Sequence, residues 1–138
     1  ALISVGQIKN AELRESLFLR TQKIGFELPI IISPRAYVSS HAVLGVGTII
    51  MHDALVNSGA RIGKNCILNT KSLVEHNAIV EDHCHISTAS IVNGGTIIRE
   101  KTFVGSNAMI RDNIEIGEKN IIGGGRVILK SIPKEIKV

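Results

Sequence analysis

The chain repeats every six residues, and few folds can absorb that period. From Ile32 every sixth position is aliphatic: Ile32, Val38, Leu44, Ile50, Val56, Ile62, Leu68, Val74, Val80, Ile86, Val92, Ile98, Val104, Ile110, Ile116, Ile122 and Ile128. Four residues after each of the first thirteen stands a small side chain: Ala36, Ala42, Thr48, Ala54, Ala60, Cys66, Ser72, Ala78, Cys84, Ser90, Thr96, Thr102 and Ala108. An α-helix requires a period of 3.6 and a half-buried strand a period of 2, so neither explains the pattern. Three short strands joined by three corners make one coil of a hexapeptide β-helix, with aliphatic residues at the centre and small ones where the walls converge. At three hexads to a coil, seventeen hexads give between five and six coils, a prism about 25–28 Å tall at the spacing of paired strands. The period leaves the hand of the coil open.

Composition agrees with a narrow, repetitive interior. Only 3% of the 138 residues are aromatic, Trp is absent, and 44% are hydrophobic. That suffices for one core and a small appendage. The net charge of +4 is spread along the chain with no row of aromatics for base stacking, so nucleic acid is not the expected partner; a small anionic ligand suits the balance equally well. No apolar run is long enough to cross a bilayer and no signal-like start is seen, so a cytoplasmic protein without membrane insertion is expected. Cys66 and Cys84 are 18 residues apart at equivalent inward stations and should stack, as a reduced ladder rather than a disulfide.

The small-residue rule fails at Ile114, Asn120, Arg126 and Ile132, where the last coil should loosen and cap the prism. A continuous coil is expected over 32–133, with an exposed tail over 134–138. Residues 1–31 follow other rules. Ala1 to Val5 reads as a strand, Asn10 as a helix N-cap, Leu13, Leu17 and Phe18 as a buried helical face, and Gly25 as a C-cap. One strand and one helix make either the end of an α/β unit or a short docking helix.

Of the five histidines, His76 is set apart by its neighbour. Residue 94 occupies the same station one coil later and is glycine, which leaves room for a substrate beside a general base and exposes a backbone N–H able to stabilise an oxyanion. His85 lies half a coil from His76, so the two belong on opposite sides of one prism. Prisms packed side by side under cyclic symmetry would bring one chain's His76 toward the next chain's His85.

The run Asn69-Thr-Lys-Ser-Leu-Val-Glu-His76-Asn77, followed by His85-Ile-Ser and Gly94, resembles the sialic acid O-acetyltransferase and bacillosamine-type sugar N-acetyltransferase family. The resemblance covers essentially the whole chain. It implies a left-handed parallel β-helix that forms a homotrimer, with acetyl-CoA clefts between subunits and a sugar or nucleotide-sugar acceptor from surface-glycan synthesis. It also implies that residues 1–31 are the last strand and helix of a Rossmann-like domain that binds the nucleotide sugar. On that resemblance His76 is the base that deprotonates the acceptor amine or hydroxyl, and Asn69 contacts the substrate. His85 and the Gly94 amide contact acetyl-CoA near its carbonyl, and the backbone around Ser106 and Gly124 follows the pantetheine arm. Family members often place Asp or Glu directly after the base, where this chain has Asn77; Glu75 or Asp82 could supply a carboxylate instead. Two other classes use such coils. A γ-carbonic-anhydrase-like enzyme needs three histidines converging on zinc, and the two-histidine spacing it requires is missing here. A structural β-helix presents flat Thr-rich faces, whereas the outward positions here are mixed and charged.

Overall fold

The structure, a computed structural model, describes residues 1–134. Within them seventeen two-residue strands, β1 (Ile31–Ile32) to β17 (Val127–Ile128), begin at six-residue intervals without an inserted loop. They form three parallel sheets, the faces of a left-handed prism. The first face holds β1, β4, β7, β10, β13 and β16; the second holds β2, β5, β8, β11, β14 and β17; the third holds β3, β6, β9, β12 and β15. Each strand from β1 to β14 pairs with the one three later, so Ile67, His85 and Phe103 stand in register along the first face. Beyond β17 the coil is continued by a bridge between Ile116 and Ile132.

The corners explain a second periodic feature of the sequence. From Leu44 to Ile122 the residue three after each inward aliphatic takes a left-handed conformation, as at Gly59 (φ 72°), Asn65 (53°), Asn77 (56°), Gly95 (66°) and Asn113 (54°). Glycine and asparagine adopt that region at least cost, which is why they recur there. The Ala78 N–H closes one such turn on the Glu75 carbonyl at 3.3 Å.

Ile50, Val56, Leu68, Val74, Val80, Ile86, Ile98 and Ile110 fill the prism axis and are almost fully buried, with Ala54, Ala60, Cys66, Ala78 and Cys84 in the narrow angles. Both cysteines are free, and burial pushes the Cys66 thiol up to about 12. The first layer is less covered: Ile32 is 44% exposed and Val38 and Leu44 are half-buried, since no described coil lies beneath them. At the other end Asn120 stays fully buried, its amide donating to the carbonyls of Gly117 (2.7 Å) and Pro133 (2.8 Å). Ile114 and Ile132 are half-buried and Arg126 is exposed. Lys134 is exposed, and the rest of the expected tail lies outside the described residues.

The N-terminal appendage departs from expectation in three ways. Ala1 to Val5 forms no strand, having no neighbouring edge to pair with among the described residues. Helix α1 spans Glu12–Ile24 and its N-cap is Ala11, although the Asn10 side chain still accepts the Glu12 N–H at 3.3 Å. Its buried face carries Arg14 and Phe18, while Leu13 is 58% exposed and Leu17 half-buried. Arg14 takes the inward place because its guanidinium finds carbonyl partners there. Gly25 ends the helix at φ 96°, its N–H donating to Gln22. Phe18, Ile3 and Leu28 form a small second core. No helix among the described residues is long and apolar enough to cross a membrane.

Candidate active site

His76 sits at the corner between β8 (Leu73–Val74) and β9 (Ile79–Val80), on top of Gly94 one coil on. A Cβ built on Gly94 would lie 2.6 Å from both Cε1 and Nε2 of the imidazole. The ring therefore occupies space that any side chain at 94 would need. Around it lies an open cleft of about 580 Å³, lined by Glu75, His76, Asn93, Gly94, Met109, Arg111, Asp112 and Asn113. The Gly94 N–H donates to nothing within the described residues, whereas the Gly94 carbonyl accepts the Asn113 N–H at 3.0 Å. An unpaired donor beside an exposed imidazole suits a developing negative charge on an acyl oxygen.

Asn77 follows the imidazole in the left-handed position, and its amide nitrogen lies 3.4 Å from His76 Nδ1. Its Oδ1 packs against Gly59, where a Cβ would collide with it. In this orientation the amide donates to Nδ1. Turned over, the near-isosteric amide would accept an Nδ1–H and leave the Nε2 lone pair free. The two carboxylates considered from sequence are engaged elsewhere. Glu75 Oε2 accepts the Asn57 amide (2.8 Å) and the His76 backbone N–H (3.3 Å), and Asp82 Oδ1 accepts the Lys64 N–H (2.7 Å).

The remaining predicted residues gather at another corner. His85 opens β10 (His85–Ile86) on the first face, and its Nε2 lies 3.3 Å from Asn69 Nδ2. Ser106 and Gly124 stack at the corner between the first and second faces, where a Cβ on Gly124 would lie 3.1 Å from the Ser106 carbonyl. The structure thus brings Asn69 together with His85 and Ser106 together with Gly124, but sets all four a full face away from His76 and Gly94. His85 is only 7% exposed: the Gln7 carbonyl caps Nδ1 at 2.7 Å and the Phe103 ring meets it edge-on at 5.2 Å. Burial holds its pKa below the usual histidine range. His83 is buried under Phe18 and shifted the same way by burial, and His52 bonds Ser33 at 2.5 Å. Among the described residues no group of three or more His, Cys, Asp or Glu side chains could hold a metal ion within one chain. Met109 and Arg111 in the cleft, and Gln7 over His85, were not anticipated; the first two stand 18 residues beyond Ile91 and Asn93, so the coil arithmetic could have found them, but nothing local marks Gln7.

These features define a hexapeptide-repeat β-helix protein with an imidazole-bearing cleft at one corner. No family model and no curated relative matches the chain. Solved structures do. The acetyltransferase domain of PglB from Neisseria gonorrhoeae, in complex with acetyl coenzyme A, is 31% identical over 95% of this chain and 64% of its own, with a TM-score of 0.92. A histidine variant of perosamine N-acetyltransferase from Caulobacter crescentus, in complex with CoA and GDP-perosamine, is 31% identical over 94% of this chain and 62% of its own, also at 0.92. WeeI from Acinetobacter baumannii is 25% identical over 99% and 70%, at 0.90. In fold and in sequence the chain is thus similar to these hexapeptide-repeat acetyltransferases. It spans a little under two thirds of the length of the first two.

Proposed function

We propose that the chain transfers an acetyl group from acetyl-CoA to an amine or hydroxyl of a nucleotide-activated sugar in surface-glycan synthesis, with His76 as general base. What supports this most is the His76 ring seated over Gly94, because it joins a proton acceptor, an unpaired N–H and an open cleft at one point. Acetyl-CoA supplies a thioester carbonyl there. His76 takes the acceptor proton at Nε2 when Asn77 presents its oxygen to Nδ1–H, and Asn77 orients the ring without adding charge. The Gly94 N–H stabilises charge on the acyl oxygen as the acceptor atom bonds to the carbonyl carbon. When the C–S bond breaks, the CoA sulfur leaves with the proton that His76 holds.

The second half of the site comes from a neighbouring subunit. His85 and Asn69 together stand where the thioester meets the acceptor, and the flat backbone at Ser106 and Gly124 follows the pantetheine arm. Since these residues lie a full face away from His76 in one chain, a homotrimer with clefts between subunits unites them. Residues 1–31 are the end of a Rossmann-like sugar-nucleotide-binding domain, and the enzyme works in the cytoplasm, where acetyl-CoA is available.

The full-length protein, incubated with acetyl-CoA and either UDP- or GDP-linked amino sugars or CMP-sialic acids, should release CoA in step with one acetylated sugar, as read by mass spectrometry. No acetylated product from any of them would count against the proposal.

A further inference from the structure

We propose that the segment before helix α1 is a working part of this site: the Gln7 carbonyl fixes the tautomer of His85, and His85 in turn orients the amide of Asn69, which is the group that meets the thioester. The inference rests on the acetyltransferase function proposed above.

A carbonyl oxygen only accepts, so the 2.7 Å contact between Gln7 and His85 Nδ1 places a proton on Nδ1. The other ring nitrogen is settled independently. Asn69 Oδ1 accepts the Thr70 N–H at 2.7 Å, which leaves Nδ2 as the atom 3.3 Å from His85 Nε2. Nδ2 can only donate, so Nε2 must offer a lone pair. Both neighbours therefore select the neutral Nδ1–H form. Burial under Gln7 and against Phe103 disfavours the imidazolium. A ring in this state has no N–H left for a carbonyl oxygen. Asn69 does: one Nδ2 hydrogen serves His85, and the residue is only half-buried. His85 is thus a positioning residue and Asn69 the donor.

The segment that carries Gln7 has no secondary structure of its own and is held by side chains. Arg14 is 1% exposed; its Nη1 donates to the carbonyls of Ile3 (2.5 Å) and Val5 (2.8 Å), and its Nε to that of Asn65 (3.3 Å). The Gln7 amide donates to the His83 carbonyl at 2.5 Å. A residue in α1 therefore controls a histidine on the prism face.

The test is nitrogen-15 NMR of histidine-labelled full-length protein at pH 7, with kinetics of variants. In the wild type His85 should show a protonated Nδ1 and a bare Nε2. Arg14→Met should release the segment, mix the tautomers and lower kcat about 10–100-fold, with the acetyl-CoA KM changed by less than about threefold. Asn69→Ala should lower kcat about 10²–10³-fold, as loss of an oxyanion donor does. His85→Gln, whose amide oxygen can replace Nε2 as acceptor for Asn69, should keep at least about ten times the activity of His85→Ala. Should Arg14→Met not fold, the wild-type spectrum and the Gln-against-Ala comparison still decide. An active enzyme with His85 protonated on Nε2, or with His85→Gln no better than His85→Ala, overturns the relay alone. A protein with the expected tautomer that acetylates no amino sugar overturns the acetyltransferase function, and with it the role of Asn69.

Discussion

His76 and Gly94 share one space: a Cβ on Gly94 would lie 2.6 Å from His76 Nε2 and Cε1. Gly94 does not lie in the left-handed region, unlike Gly95 at φ 66°, so alanine at 94 meets no backbone penalty. Gly94→Ala should therefore leave the melting temperature nearly unchanged while displacing the imidazole and lowering kcat at least about 100-fold. Full turnover in a folded Gly94→Ala protein would show that the ring need not stay where it is.

His76→Ala should lower kcat about 10²–10⁴-fold and leave acetyl-CoA affinity nearly intact, because proton removal matters in the transition state and not in binding the co-substrate. His76 is exposed at its corner, so loss of folding would not explain the loss of rate. Steady-state kinetics beside calorimetric titration of acetyl-CoA separate the two effects.

Ala78 is fully buried in the ladder of small residues, one coil from Ala60 and one from Thr96, both also at 0% exposure. Ala78→Leu has no space to fill and should cost about 1–3 kcal/mol, read as a lower denaturation midpoint. An unchanged midpoint would mean that the angle of the prism is not closely packed.

Burial lowers the pKa of both His83 and His85 in the folded chain. Below the ordinary histidine value of about 6.5 the unfolded chain takes up protons that the folded chain refuses. Stability is therefore full above that value and falls as pH drops toward the lower folded-state pKa. The melting temperature should decline from pH 7 to pH 5, and replacing both residues by Gln should flatten the decline. An equally steep fall in the double variant would assign it to carboxylates.

How far this could be read beforehand differs between the two parts of the chain. The prism was legible because each coil repeats one requirement: an aliphatic residue such as Val74 or Val92 at the axis, a small one such as Ala78 or Thr96 in the angle. The same arithmetic placed Gly94 against His76 and separated both from His85. Arg14 and Gln7 were not legible. Their partners are decided by tertiary packing: Arg14 meets Asn65 across 51 residues and Gln7 meets His85 across 78. Helical spacing favoured Leu13 as an inward residue, yet a guanidinium that satisfies three carbonyls displaced it. Asn77 also gained a second explanation, since its corner requires a left-handed residue whatever the chemistry.

The central claim is a transferase cleft built from two subunits, His76 and Gly94 on one and Asn69 and His85 on the next. Mixing inactive His76→Ala and His85→Ala chains tests it most directly, because each variant retains what the other lacks. Random 1:1 co-refolding makes about a quarter of the directed interfaces whole, while neither variant alone has any. About a quarter of wild-type activity should return in the co-refolded sample as a whole, about a third in its mixed trimers, with the composition verified by native mass spectrometry. No recovery in such trimers would contradict the account, and would place both histidines of one chain in the same cleft.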